Sequence, residues 1–377
     1  MWRLLPEEVL TMILARLPVK SVGQLKCVSK LWRSLISEPH FTKSHLDRAI
    51  SDPNTNHSRL FVMYPFHSLD YESPSTNKDV NDDDNNDNDD DNGAIVDLGF
   101  PSRQTEEGIE IVGSYNGMIC LLYLLDCFVL WNPTIKDSIE LPKPPFSISY
   151  FDFYFKGFGY NPSMDDYKVV IASREEGNPN VQSTVEVFSL KQSSWKEIGG
   201  LQNGLVIEAE QLSTCLNGNL HWLASCDTTN PIEKHLIVSL DLGTEEFSEI
   251  SIPDCYDRSF FFHALGMING CLSLLTDERN WREVGLWVMK EYGVRGSWTK
   301  LVILPTENLL FCDYLVPVCF TKAGDILIDV DGRRVVRYNL EQKTMKKLKT
   351  RSVHFIDWVL YVESLISPGS HYRISSG

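Results

Sequence analysis

Nine histidines, nine cysteines and fifty-one carboxylates are the side chains of this 377-residue sequence that could ligate a metal, attack a carbonyl or move a proton. Their spacing assembles no such site. There is no His-Glu-x-x-His pair for zinc, no Gly-x-Ser-x-Gly elbow for a nucleophile and no phosphate loop. Gly157-Phe158-Gly159 lacks the third glycine and the following helix of a dinucleotide fingerprint, so it reads as a strand or turn feature. His221, beside Trp222 in an alternating strand-like run, reads as structural. The densest carboxylates, Asp79 to Asp91, fail as a calcium loop. Counted from Asp87, position six is Asn92 and position twelve is Leu98. Counted from Asn88, Gly93 falls at six but Gly99 at twelve, where a bidentate Glu is needed. No catalytic group, cofactor site or metal site is therefore expected.

The bulk properties narrow the partners. A net charge of −16 argues against nucleic acid, which needs a basic surface. Residues 1–48 nevertheless carry eight Lys/Arg against four Asp/Glu, so a basic head sits on an acidic body. An acidic partner for the head and scattered surface charge both fit. The cysteines are odd in number, lack a Cys-x-x-Cys, and lie partly in apolar runs (Cys120, Cys127, Cys271), as in a reduced cytoplasmic or nuclear protein. Met1 to Glu8 has no apolar signal region, and no apolar run reaches membrane-spanning length. The glycosylation sequon Asn56-His57-Ser58 is expected to go unused.

Four segments follow: a helical head over 1–46, a connector with a first strand over 47–69, an acidic loop over 70–94, and a β body over 95–377. In the head, Pro6 suits a first helical position with Glu7 and Glu8 at the positive end of the dipole. Val9, Ile13, Leu14 and Leu17 form one stripe, and Pro18 ends that helix. Ser21-Val22-Gly23-Gln24 matches a capping box, placing a second helix there. A third carries Leu31, Trp32, Leu35 and Ile36 and stops before Pro39. Three short helices make a marginal core with apolar groups to spare. Either a second protein covers them or the head caps its own chain's body; physics alone leaves both open. The Asp/Asn run of the loop repels itself and cannot offset its ordering entropy, so it is expected to be disordered.

Leu5-Pro6, Ile13 to Ser21, Val28 to Ile36 and Pro39-x-Phe41 together resemble the F-box of plant F-box proteins. The resemblance implies docking on a Skp-type adaptor, which joins a cullin scaffold carrying the ubiquitin-conjugating enzyme. By position it assigns Leu5, Pro6, Ile13, Leu14, Leu17, Pro18, Val19 and Trp32 to the docking surface or its support.

The body repeats. A large residue is followed three positions later by an aliphatic one at Trp195/Ile198, Phe247/Ile250, Trp298/Leu301 and Met345/Leu348, with Ser138/Leu141 a weaker copy. Leu190, Leu242 and Leu340 each precede the large residue by a hairpin's spacing. Asn116-Gly117, Asn217-Gly218 and Asn269-Gly270, with Ala323-Gly324, each open a strand; Asn-Gly suits a turn needing positive φ twice. Two hairpins per unit of about 50 residues is the blade period of a kelch-like propeller. About six blades are expected, the strand from Leu60 sharing the last with the strands after Val353; a β-sandwich is the alternative.

Phe128 to Thr134 with Leu141-Pro142, and Gly157 to Pro162 with Asp165 to Val170, are similar to the F-box-associated interaction domain of plant F-box/kelch-repeat proteins. The glycine pair of true kelch repeats is missing. An all-α F-box followed by an all-β propeller, the resemblance implies, recruits a protein target to the ligase through its β domain. Two other functions stay open: an F-box scaffold acting outside degradation, and a propeller enzyme or small-ligand binder with a helical cap.

Overall fold

A computed structural model describes residues 6–51, 57–63, 66–73, 77–79, 94–99, 108–124, 127–145, 153–174, 183–201, 205–207, 212–226, 235–253, 262–278, 283–305, 315–349 and 357–371. Four helices open the chain: α1 (Glu7–Leu14), α2 (Val19–Leu25), α3 (Lys30–Ile36) and α4 (Pro39–Ser51). Ser29 caps α3 by accepting from the Trp32 amide at 3.2 Å. Pro6 and Pro18, whose fixed φ and missing N–H suit a helix entrance, stand at the N-caps of α1 and α2. The expected capping box is thus not used: α2 starts before Ser21, which lies within the helix. The last helix of the head runs on to Ser51. Pro39 opens a fourth helix whose buried face, Phe41, Thr42, His45, Leu46 and Ala49, includes two polar residues and hid its period.

The strands fall into six antiparallel sheets, the blades of one propeller. Blade 1 holds Ile109–Tyr115, Met118–Tyr123, Cys127–Asn132 and Asp137–Glu140. Blade 2 holds Phe153–Asn161, Asp166–Arg174, Thr184–Ser189 and Ser194–Ile198. In blade 3, Leu205–Ile207 and Thr214–Leu216 both pair with Asn219–Cys226, followed by His235–Asp241 and Phe247–Ile250. Blade 4 is Phe262–Ile268, Cys271–Glu278, Glu283–Met289 and Trp298–Pro305. Blade 5 is Leu315–Phe320, Ile326–Val330, Arg334–Asn339 and Thr344–Leu348, with Asn77–Asp79 added outside. Blade 6 joins the chain's two ends: Trp358–Val362 pairs with Ser58–Val62, then come His67–Leu69 and Ile95–Asp97.

Alternation along each strand feeds two cores. In blade 1, Met118, Cys120 and Leu122 pack toward blade 2, while Ile119, Leu121 and Tyr123 pack toward blade 6. Val170 and Ala172 of blade 2 turn to blade 3, and Val169 and Ile171 to blade 1. The same division recurs around the ring, so the middle strands are apolar at nearly every position. The Asn-Gly turns take the anticipated backbone: φ is 52°, 53° and 50° at Asn116, Asn217 and Asn269, and 84°, 76° and 73° at the glycines after them. A Cβ on Gly117 would also strike Ser364 and the Val362 carbonyl. The repeated large residues sit on the outermost strands, where the indoles of Trp195 and Trp298 donate across to the Pro142 and Ser251 carbonyls at the end of the preceding blade. Lys168 of blade 2, 3% exposed, reaches Glu245 of blade 3 at 2.7 Å, and Lys196 joins the same carboxylate. Burial pushes Glu245 up, but those two ammonium hydrogen bonds outweigh it and hold the carboxyl below its ordinary range.

The acidic loop is not without structure at its margins. Asn77–Asp79 is a strand, paired in register with Lys346–Leu348. Residues 80–93, most of the Asp/Asn run, lie outside the described residues.

Beyond the closing strand, the tail runs across blade 1. Buried Asn132 donates to the Ser364 carbonyl (3.1 Å), the Ser364 hydroxyl (3.0 Å) and the Ile366 carbonyl (2.8 Å), and the Ser364 hydroxyl donates to the Asn116 carbonyl. Asn132→Ala should cost about 2–3 kcal/mol by stranding those buried acceptors. Urea unfolding checks it, and a change below about 0.5 kcal/mol would remove the tail's role. In blade 5, Asp329 accepts from the Trp358 indole at 2.7 Å. Burial raises its carboxyl to about 7, although Trp358 and the Gly332 amide pull it down. The folded state therefore binds a proton that the unfolded state releases near pH 4, and stability from this site falls as pH rises through 7. Asp329→Asn keeps an acceptor without the charge and should flatten that fall. Parallel melting-temperature curves for the two proteins between pH 5 and 8 would contradict it.

Candidate functional site

The head has an inside and an outside. Leu14 of α1, Val19 and Val22 of α2, Leu35 and Ile36 of α3 and Phe41 of α4 close around Leu365 from the tail. Leu10, Ala15, Leu17, Leu25, Trp32 and Ile135 of blade 1 pack half-buried against that cluster. On the outside, Val9, Met12 and Ile13 are 37%, 57% and 44% exposed. They stand at i, i+3 and i+4, one stripe of α1. Val28 and Leu31, 61% and 58% exposed, flank the joint between α2 and α3.

Of the residues assigned by position, Leu5 lies outside the described residues. Pro6, Ile13 and Pro18 are exposed. Leu14 and Val19 are buried together in the interior, with Leu17 and Trp32 at its margin. The interior pair can support a docking surface but cannot touch a partner directly. Met12 is the exposed group that the sequence reading passed over; its i+3 spacing from Val9 was the available signal.

The inner side of the head is fastened to the propeller at several points. Leu46 of α4 joins the core between blades 1 and 2. Lys43 donates to the Tyr160 hydroxyl at 3.0 Å and pairs with Asp165 at 3.1 Å. Those donated hydrogen bonds, to Tyr160 first and then to Asp165, raise its ammonium pKa to about 12. The side chains are half exposed, so this pair orients more than it stabilises. In the tail, Leu365 enters the head's cluster and its neighbour Ile366 enters the core between blades 1 and 2. Within the head, His45 lies buried with Nε2 2.9 Å from the Leu17 carbonyl, tying α4 to the end of α1. Burial first, then Arg48, lowers its pKa against that hydrogen bond, so the ring is neutral and Nε2 is the donor. The choice between cap and docking module resolves into a division: the head is covered on one side and bare on the other.

The head lies at the ends of blades 1 and 2 that carry the Asn116-Gly117 turn, Asp165 and Ile135. Strand ends at Leu124/Cys127, Arg174/Thr184, Cys226/His235 and Glu278/Glu283 belong to the opposite face. Among the described residues, no group of three His, Cys, Asp or Glu is placed to hold a metal. His221 is fully buried, Nδ1 at the Thr214 carbonyl and Nε2 at the Tyr292 hydroxyl, and burial lowers it to about 4. It is a strut between blades 3 and 4. Lys156 and Glu110 pair across the first strands of blades 2 and 1. No helix of the described residues is long and apolar enough to cross a membrane.

Comparison with known proteins agrees with both parts. The F-box associated beta propeller domain matches residues 68–362, and the F-box domain matches residues 2–44. Among curated relatives, the F-box/kelch-repeat protein At3g23880 of Arabidopsis thaliana is 28% identical over 369 residues, covering 97% of this chain and 96% of that one. The Arabidopsis thaliana F-box protein CPR1 is 27% identical over 372 residues, covering 92% and 84%. A solved Penicillium chrysogenum alpha-L-arabinanase shares 9% identity at a TM-score of 0.45, over 66% of this chain and 82% of its own, a likeness too loose to bear on function. With its propeller matched almost from end to end and four helices before it, the chain belongs to the F-box associated β-propeller family and carries an F-box at its amino terminus.

Proposed function

We propose that this protein is the target-recruiting subunit of a Skp-cullin-F-box ubiquitin ligase, working in the cytoplasm or nucleus. The bare stripe of Val9, Met12 and Ile13, with Val28 and Leu31 beside the next helices, is the observation that carries the reading. These five large apolar side chains are more than solvent exposure by chance requires, and burying what is exposed of each is worth up to about 1.5–3 kcal/mol. A Skp-type adaptor covers them and links the chain to a cullin scaffold. The propeller holds a protein target, and ubiquitin transfer follows from proximity, with no catalytic group contributed by this chain.

Co-purification with a Skp-type adaptor tests the docking step. Ile13→Asp places a charge in the stripe without touching the head's interior. It should reduce recovered adaptor at least about tenfold, as loss of a central apolar anchor does. Leu31→Glu should do the same, and both variants should melt within a few degrees of the wild type. Equal adaptor recovery by wild type and both variants would defeat the assignment. The target half-life on depletion of this protein separates the degradative role, in which it lengthens, from a scaffold role, in which it does not change.

A further inference from the structure

Blade 5 differs from its neighbours in charge and in edge. Residues 315–349 hold eight Lys/Arg and four Asp/Glu, a net of +4 in a chain whose net charge is −16. The cations gather on its outer half. Lys343 and Lys346 are exposed, Lys347 and Lys349 half-buried, and all four belong to the outer strand Thr344–Leu348 or the residues bordering it. This is also the one outer strand, among the described residues, that carries a further strand beyond it. That strand, Asn77–Asp79, comes from a distant part of the chain and pairs through only three residues: Asp79 with Lys346, Lys78 with Lys347 and Asn77 with Leu348. In sequence it leads straight into Val80-Asn81-Asp82-Asp83-Asp84 and the remaining Asp/Asn run.

The chain thus lays an acid-flanked strand of its own against a basic sheet edge. Edge backbone groups accept any extended segment, and the side chains beside them choose its charge. A three-residue ladder is short enough to exchange. We infer that the outer edge of blade 5 is a binding surface for an extended, aspartate- or glutamate-rich segment of a protein partner. The segment is taken up as an added antiparallel strand alongside Thr344–Leu348, in place of Asn77–Asp79. The internal strand is covalently tethered, so it competes at an effective concentration that a weak partner does not reach. Only partners that are more acidic, longer or locally concentrated displace it. The inference rests on the recruitment reading solely in taking that partner for a ligase target; the surface itself is independent of the head.

The test uses full-length protein without adaptor, so a failure here leaves adaptor docking standing, and the reverse. The probe is a fluorescein-labelled synthetic peptide with the sequence of residues 77–92, followed by fluorescence anisotropy. In one variant, residues 74–93 are replaced by a Gly/Ser linker of equal length, which vacates the edge. In a second, Lys78→Pro puts a proline at the middle of the three-residue ladder and leaves the rest of the loop in place. Both should bind the peptide at least about tenfold more tightly than wild type, where the tethered strand competes. Adding K343E, K346E and K347E to either variant should weaken binding at least about tenfold, and raising salt from about 0.05 to about 0.5 M should weaken it severalfold. Failure of both variants to bind the peptide, or indifference to the charge reversal, would overturn the proposal. So would equally tight binding of an oligothymidylate of the same length, which would make the edge a general polyanion patch.

Discussion

Every blade of this propeller has two apolar faces and can bury neither alone. The strand Met118–Tyr123 is buried at each position, which is tolerable only with a sheet on both sides. Closure of the ring is therefore the constraint on which the rest depends. It is made by five paired residues, Trp358–Val362 against Ser58–Val62, drawn from opposite ends of the chain. Without that pairing, blade 6 would offer Phe61 and Tyr361 to water on one side and Leu60 and Val62 on the other, and blades 1 and 5 would each lose a facing core.

Closure also decides where the head sits. The chain leaves the closing strand at Val362 and passes directly into the tail, whose Leu365 and Ile366 point into two different cores. Arg59 of the other closing strand meets Glu363 at 3.5 Å, and Glu363 lies 3.9 Å from Lys20 of α2. One short segment so connects ring, closure and helices. The head is fixed to the propeller by side chains with inward-facing partners, leaving Val9, Met12 and Ile13, with Val28 and Leu31, outward as apolar surplus that the body does not absorb. A flexible linker would have exposed the entire surplus.

What could be read in the sequence was local. The Asn-Gly turns, the strand runs and the large residue of each outer strand state their role within a few positions, because turn geometry and alternation are short-range rules. Their period gave about five units; a sixth blade came from joining the strand at Leu60 to those after Val353, the pairing that closes the ring. What escaped was set by distant partners. Asn132 looks like any turn asparagine until Ser364 and Ile366 arrive over two hundred residues later. The strand Asn77–Asp79 has almost no strand character and exists because Lys346–Leu348 offers a ladder. Helix α4 was hidden by Thr42 and His45 on its buried face, the His paid for by the Leu17 carbonyl. In the candidate site the types were legible but the sides were not: Ile13 and Leu14 are adjacent in sequence, yet one is bare and the other sealed, a distinction drawn by α2, α3 and Leu365 together.

The fixed joint bears on the proposed recruiting role. In that role the chain would contribute the effective concentration of a target lysine near a carrier held by another protein, a quantity that depends on how little the two binding surfaces move relative to each other. A joint secured only by Lys43 and Asp165 would be soft, since such half-exposed pairs are weak and screened by salt. Leu46, Leu365 and Ile366 contribute instead through close packing, which has no graded intermediate positions. The tail that closes the ring thereby also sets the distance between the outer stripe of α1 and the propeller's far face, so the fold's last residues in sequence govern the geometry that its first residues need.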